Sequence, residues 1–169
     1  VDAGKIKIVG ESFSDGWKPE NAQKNMEQIL TANDNNVDAV LSENDGMAGG
    51  VVAALSAQGL VIPVGGQDGD LAAINRVARG TQTVSVWKDA RDLGKAAGEI
   101  ASALAAGTSM DAIEGATKFT GGEKGIAINA ILLDPTPLTR DNLSVAINGG
   151  HITKEQACAG ALPGVDGCN

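Results

Sequence analysis

Aromatic side chains are scarce in this chain, whose 169 residues include two Trp, two Phe and no Tyr. The core must therefore be aliphatic, built from Val, Ile, Leu and Ala, and each aromatic becomes a candidate for a special task. Histidine is scarcer still, with His151 alone. One His and two Cys make an insufficient ligand set for zinc, and without a G-x-S-x-G segment acyl transfer has poor support. Basic clusters are also missing. The net charge is -8 and no window concentrates Lys or Arg, which argues against nucleic acid and against an anionic membrane surface. No apolar run approaches the roughly 20 residues of a spanning helix.

What is present is a repeated order of strand, polar loop and helix. Lys5-Ile6-Lys7-Ile8-Val9-Gly10 alternates and is β-branched, predicting a first strand. Pro19 suits the first turn of a helix whose Met26, Ile29 and Leu30 share a face. Val37–Leu41 is the second strand, followed by a small-residue helix from Met47 to Gln58. Leu60–Gly66 is the third strand, followed by a helix from Leu71 to Arg79, and Thr83–Trp87 is the fourth. This order predicts an α/β fold with a parallel sheet. In such sheets ligands lie beyond the carboxyl ends of the strands, where Trp17, Asn44-Asp45, Gln67-Asp68 and Trp87-Lys88 are found.

Beyond Lys88 the pattern changes. A long amphipathic helix covers Asp89–Ala106, a loose region spans 108–125, and Ile126–Leu133 is an apolar strand. Asp134-Pro135-Thr136-Pro137 is expected to forbid continued regular structure, and Thr139–Leu143 to start a last short helix. The opening Val1–Lys5 reads as the end of a helix and its turn, so residues upstream are expected.

Each candidate residue has two readings. Asn44 can cap the following helix, or its amide can hold a sugar hydroxyl, which needs a donor and an acceptor. Asp68 can serve the turn or accept from vicinal hydroxyls, with Asp70 the better cap because Leu71 opens the helix. Trp17 lies in a loop, where a core residue is unexpected and a face for stacking on a pyranose is preferred. Lys88 is equally a solvated lysine or a ligand contact. Gly121-Gly122-Glu123-Lys124-Gly125 lacks the order of a P-loop and follows no strand, so no cofactor is implied. Cys158 and Cys168 are separated by a Gly- and Pro-containing segment able to loop back. A disulfide is preferred over two unrelated thiols, and it implies an oxidising compartment.

Gly65–Ile74, Gly80–Lys88, Asp15–Ala22, Ile29–Asn33 and Ala54–Leu60 together resemble the type I periplasmic sugar-binding proteins of bacterial ABC importers, and among them the xylose-binding branch. The similarity runs from about Lys5 to Ala106 and returns weakly over 133–148. It implies a two-lobed α/β protein, each lobe a three-layer sandwich around a parallel sheet, which closes on a xylose-like pyranose and delivers it to the importer's membrane subunits. By the same resemblance Trp17 is the stacking aromatic, Asn44 the hydroxyl-binding amide, Asp68 the carboxylate and Lys88 the hinge lysine. Residues 1–87 would belong to the C-terminal lobe without its first strand, 88–133 to the N-terminal lobe, and 134–169 to the C-terminal lobe again. The rest of the N-terminal half would be supplied as a complementing chain. The 121–131 region and the cysteine tail depart from the family pattern.

Two other classes remain possible. The effector domain of a LacI-type regulator shares the fold, but the cysteine tail and acidic charge disfavour it. A phosphate-handling α/β enzyme would need an acidic cluster near the first strand, where Glu11 alone is thin support. The expected protein is periplasmic or secreted and is not an enzyme.

Overall fold

The structure, a computed structural model, describes residues 3–169. The chain divides into two units, Val1–Trp87 with Thr136–Asn169 and Lys88–Pro135. In the first unit residues 3–5 turn, and residues 6–14 then run without regular structure. The helix end expected at Val1 and Asp2 lies outside the described residues.

Lys5–Gly10 is therefore not the strand its alternation predicts, and Ile6 and Ile8 are exposed. Alternation supplies propensity, but a strand also needs a neighbour to take its backbone hydrogen bonds. This segment instead lies along the first helix, where Gly10 approaches Ile29 and the Asn33 amide donates to the Val9 carbonyl at 3.4 Å.

Helix α1 spans Pro19–Ala32 with Pro19 in its first turn, and it buries Ala22, Met26 and Leu30 at four-residue spacing. It ends where Asp34 and Asn35 take left-handed backbone, a conformation these residue types tolerate better than most. Strand β1 is only Val40–Leu41, followed by α2 over Asp45–Ala57, β2 over Val64–Asp68, α3 over Leu71–Ala78 and β3 over Val84–Trp87. β2 begins later than expected, after Pro63, which has no N–H to give a ladder.

β1, β2 and β3 are parallel neighbours, and the sheet is completed by a strand that the sequence reading excluded. Thr136–Leu138, here β6, pairs antiparallel with β3, placing Pro137 opposite Val86. Proline is tolerated because β6 is the outer strand of the order β1-β2-β3-β6; the missing N–H costs nothing on the edge that has no partner.

Two apolar clusters hold this unit. One joins Met26, Leu30, Ala48, Val51, Ala54 and Leu55 to Val64. The other joins Ile74, Val77 and Ala78 of α3 to Trp87, Leu138 and the C-terminal segment. That segment contains two short helices rather than the one expected, α5 over Ser144–Asn148 and α6 over Lys154–Cys158. The sequence does carry the signal for α6: Thr153 and Gln156 form a capping box, the T-x-x-Q spacing of a helix start.

The second unit begins with α4, Ala90–Ala105, whose N-cap Asp89 accepts from the Arg91 N–H at 2.9 Å. A 3-10 turn at Met110–Ala112 leads to an antiparallel hairpin of β4, Thr117–Phe119, and β5, Ile128–Ala130. β4 occupies part of the region read as loose, and β5 is shorter than the predicted strand.

Cys158 and Cys168 form the expected disulfide. It closes a tail anchored on α3: the Asn75 amide donates to the carbonyls of Gln156, Ala157 and Ala159, and the Leu162 N–H to that of Ala78. Removing the crosslink with a Cys158→Ala/Cys168→Ala pair should lower unfolding free energy by about 2–3 kcal/mol, as expected for so short a loop; denaturant titration checks it. Asp166 adds a pH-dependent contribution, because hydrogen bonding from the Ser144 side chain first, and then from the Ser144 N–H at 2.9 Å, holds its carboxyl pKa below the ordinary aspartate value. The stabilisation is present above the unfolded-state pKa and is lost as pH falls through the lower folded one. Asp166→Asn should therefore reduce the melting temperature near neutrality, with wild type and variant converging in acid.

Candidate functional site

Strand register defines the carboxyl edge of the first unit. Leu41 pairs with Gly65 and Asp68 with Trp87, so Asn44 and Asp68 each stand three residues beyond one paired position. The two exits are linked directly where the Gln67 amide donates to the Glu43 carbonyl at 3.4 Å.

Trp17 reaches the same end through helix packing. It closes the 3-10 turn Asp15–Trp17, two residues before α1 begins. The start of α1 lies against the first turns of α2: a Cβ on Gly50 would fall 2.0 Å from the Pro19 carbonyl oxygen, and one on Gly46 within 3.8 Å of the Pro19 ring. Only a residue without a side chain permits the approach at Gly50. The Trp17 side chain is 59 % exposed.

Asn44 does cap α2, its Oδ1 accepting from the Met47 N–H at 2.8 Å. With the oxygen oriented by that bond, the Nδ2 group is the part of the amide left to donate elsewhere. Capping and ligand contact are thus compatible. Asp70 stands at the N-cap position of α3, but its side chain makes no capping bond, contrary to expectation. Burial first, and then Asp45 and Asp68, push its carboxyl pKa up.

Among the described residues, four that are not glycine have positive φ: Trp17 (58°), Asp34 (52°), Asn35 (61°) and Asp68 (109°). Asp34 and Asn35 end α1. Trp17 and Asp68 are the two that sequence reading assigned to ligand contact, and backbone held in such conformations concentrates at functional positions.

Beneath the edge lies Asp45, which the sequence reading placed with Asn44 at the strand exit as a helix-cap candidate and left out of the ligand set. Asp45 is fully buried. Its Oδ2 accepts from the N–H groups of Gly69 at 2.9 Å and Asp70 at 3.0 Å and from the Ser85 hydroxyl, and its Oδ1 accepts from the Gln82 amide at 2.8 Å. Arg76 braces the same group, donating to the Asp45 backbone carbonyl at 2.7 Å and to the Gln82 Oε1 at 3.0 Å. Burial lowers the Arg76 pKa, opposed by Asp45 and Asp70. The bond between Asp45 and Gln82 passes directly over β2, where a Cβ on Gly66 would lie 2.3 Å from Asp45 Oδ1 and 2.6 Å from Gln82 Nε2. Glycine inside a strand is the sequence signal of such an approach.

Two other expected positions behave differently. Trp87 is core, 7 % exposed and tilted against the His151 ring at 4.8 Å. His151 in turn lies 2.7 Å from the Gly69 carbonyl through its Nε2. Lys88 is exposed and is the first residue of the second unit, so the structure groups Trp17, Asn44 and Asp68 on one unit without it.

A family model described as "Periplasmic binding protein domain" matches residues 2–109. The chain is 45 % identical to the D-xylose-binding periplasmic protein of Escherichia coli (strain K12) over 159 residues, 92 % of this chain and 47 % of that protein. It is 44 % identical to the protein of the same name from Haemophilus influenzae, over 92 % of this chain and 46 % of the relative. The chain thus spans about half the length of the curated relatives it matches. Among solved structures, an ABC transporter solute-binding protein from Clostridium phytofermentans with bound β-D-glucose superposes with a TM-score of 0.71 at 26 % identity, covering 93 % of this chain and 49 % of that one. The fold is that of the type I periplasmic binding proteins, a mixed α/β arrangement with a mainly parallel sheet, and the chain belongs to the periplasmic binding protein domain family.

Proposed function

We propose that this chain forms the larger part of one lobe, and a segment of the other, of a periplasmic protein that binds a monosaccharide, D-xylose or a close pyranose, for an ABC importer. The observation that carries the reading is the carboxyl edge itself: Asn44 and Asp68 follow neighbouring strands, each three residues beyond one paired position, and both Asp68 and the exposed Trp17 are held in left-handed backbone. Neutral sugars are gripped by just these groups. A carboxylate accepts from hydroxyls, an amide donates to them, and an indole face covers the apolar C–H side of the ring.

In this reading residues 1–87 and 134–169 form the C-terminal lobe, and 88–133 belongs to the N-terminal lobe. Lys88 and Asp134-Pro135 are the crossings, where the backbone change of lobe closure would be absorbed. The remaining half of the enclosure comes from residues outside this sequence, on a complementing chain. The relatives' length supports a further half, and among the described residues β1 has a single neighbour in the sheet. A periplasmic location accords with the relatives' names and with the Cys158–Cys168 disulfide. No helix of the described residues is long and apolar enough to cross a membrane.

Binding is a two-state event: the sugar stabilises the closed form, and closure removes water from the hydroxyl contacts, which strengthens them. In the polypeptide or complex that carries both lobes, Asp68→Ala should weaken D-xylose binding by about 2–4 kcal/mol, because hydroxyls lose their acceptor in a desolvated cleft. Trp17→Ala should cost about 1–2 kcal/mol through lost apolar contact. Calorimetry finding unchanged affinity in both variants would contradict the assignment.

A further inference from the structure

We infer that Asp45 is a positioning residue for the sugar site, holding Asp68 in the conformation that presents its carboxylate. The inference rests on the proposed role of Asp68. Asp68 closes β2 at φ 109°, outside the region a side-chain-bearing residue ordinarily occupies. Such a conformation persists only where the surroundings over-determine it. Here the two peptide N–H groups that follow it, those of Gly69 and Asp70, both donate to one oxygen of the buried Asp45 carboxylate. The same oxygen accepts from the Ser85 hydroxyl, and Gly69 N–H also donates to that hydroxyl at 3.1 Å, tying the turn to β3.

The chemistry requires a carboxylate. The donors face both of its oxygens, the Gln82 amide on one and two peptide N–H groups and a hydroxyl on the other. An asparagine has one acceptor oxygen and would turn its NH2 group toward donors on the other side. Asp45 also follows Asn44 directly and is the first residue of α2. One buried group therefore fixes the exit of β2 and the helix start that carries the amide. Asp45 itself touches no sugar in this account; it acts through the residue it orients.

The test is a double-mutant cycle in the polypeptide or complex carrying both lobes, with D-xylose as the probe and affinity followed by NMR titration so that weak binding stays measurable. Asp45→Asn should reduce affinity roughly tenfold or more when Asp68 is present. It should change affinity less than about twofold when Asp68 is already replaced in Asp68→Asn. If Asp45→Asn does not fold, Ser85→Ala removes one donor and one link to Gly69 and carries the same cycle. Equal losses in both backgrounds would overturn the positioning role in favour of a general structural one, and no loss in either would also overturn it. If Asp68→Asn alone leaves affinity unchanged, the role of Asp68 falls and the positioning role with it, an outcome recognised from that single variant.

Discussion

A carboxylate taken out of water is costly unless its oxygens are filled with donors, and Asp45 is filled from three directions. The turn after β2 supplies two peptide N–H groups, β3 a hydroxyl and the approach to β3 an amide. None of these donors lies near Asp45 in sequence; the Gly69 N–H also reaches the Ser85 hydroxyl and the Gln82 amide the Val84 carbonyl, but all of them would lose their charged acceptor without it. The exits of β2 and β3 and the start of α2 are therefore interdependent, which is what a rigid edge for a small neutral ligand needs. Gly66 follows from the same constraint, since the bond crosses β2 where a methyl group would stand.

The rest of the first unit can be seen as support for that edge. α1 and α2 pack closely enough at Gly50 to bring the Trp17 turn beside the start of α2. Trp87, His151 and the Gly69 carbonyl join the far side of the turn to the C-terminal segment. That segment is held to α3 by Asn75 and closed by the disulfide.

Much of this was legible in the sequence. Helices α1 to α4 begin or end at Pro19, Gly59, Gly80 and Gly107, and the last three glycines have the positive φ expected after a helix. The positions of Asn44 and Asp68 follow from the strand–loop–helix order alone. What was not legible depends on neighbours. Lys5–Gly10 has the alternation of a strand but lies along α1, and Thr136–Leu138 contains a proline yet pairs because it occupies an edge. Strand limits shifted for the same reason: Val37–Leu41 shrank to Val40–Leu41, which has β2 on only one side. The role of Asp45 was hidden because its partners come from residues 69, 70, 82 and 85, a set that no local spacing reveals.

On the proposed function, everything rests on the carboxyl edge of the first unit holding the sugar. Side-chain NMR during a D-xylose titration tests it most directly, in the polypeptide or complex that carries both lobes. The Trp17 indole N–H, the Asn44 side-chain amide and the backbone amides of residues 68–70 should shift together along one saturable curve. Saturable binding that leaves these resonances unmoved while others shift would contradict it.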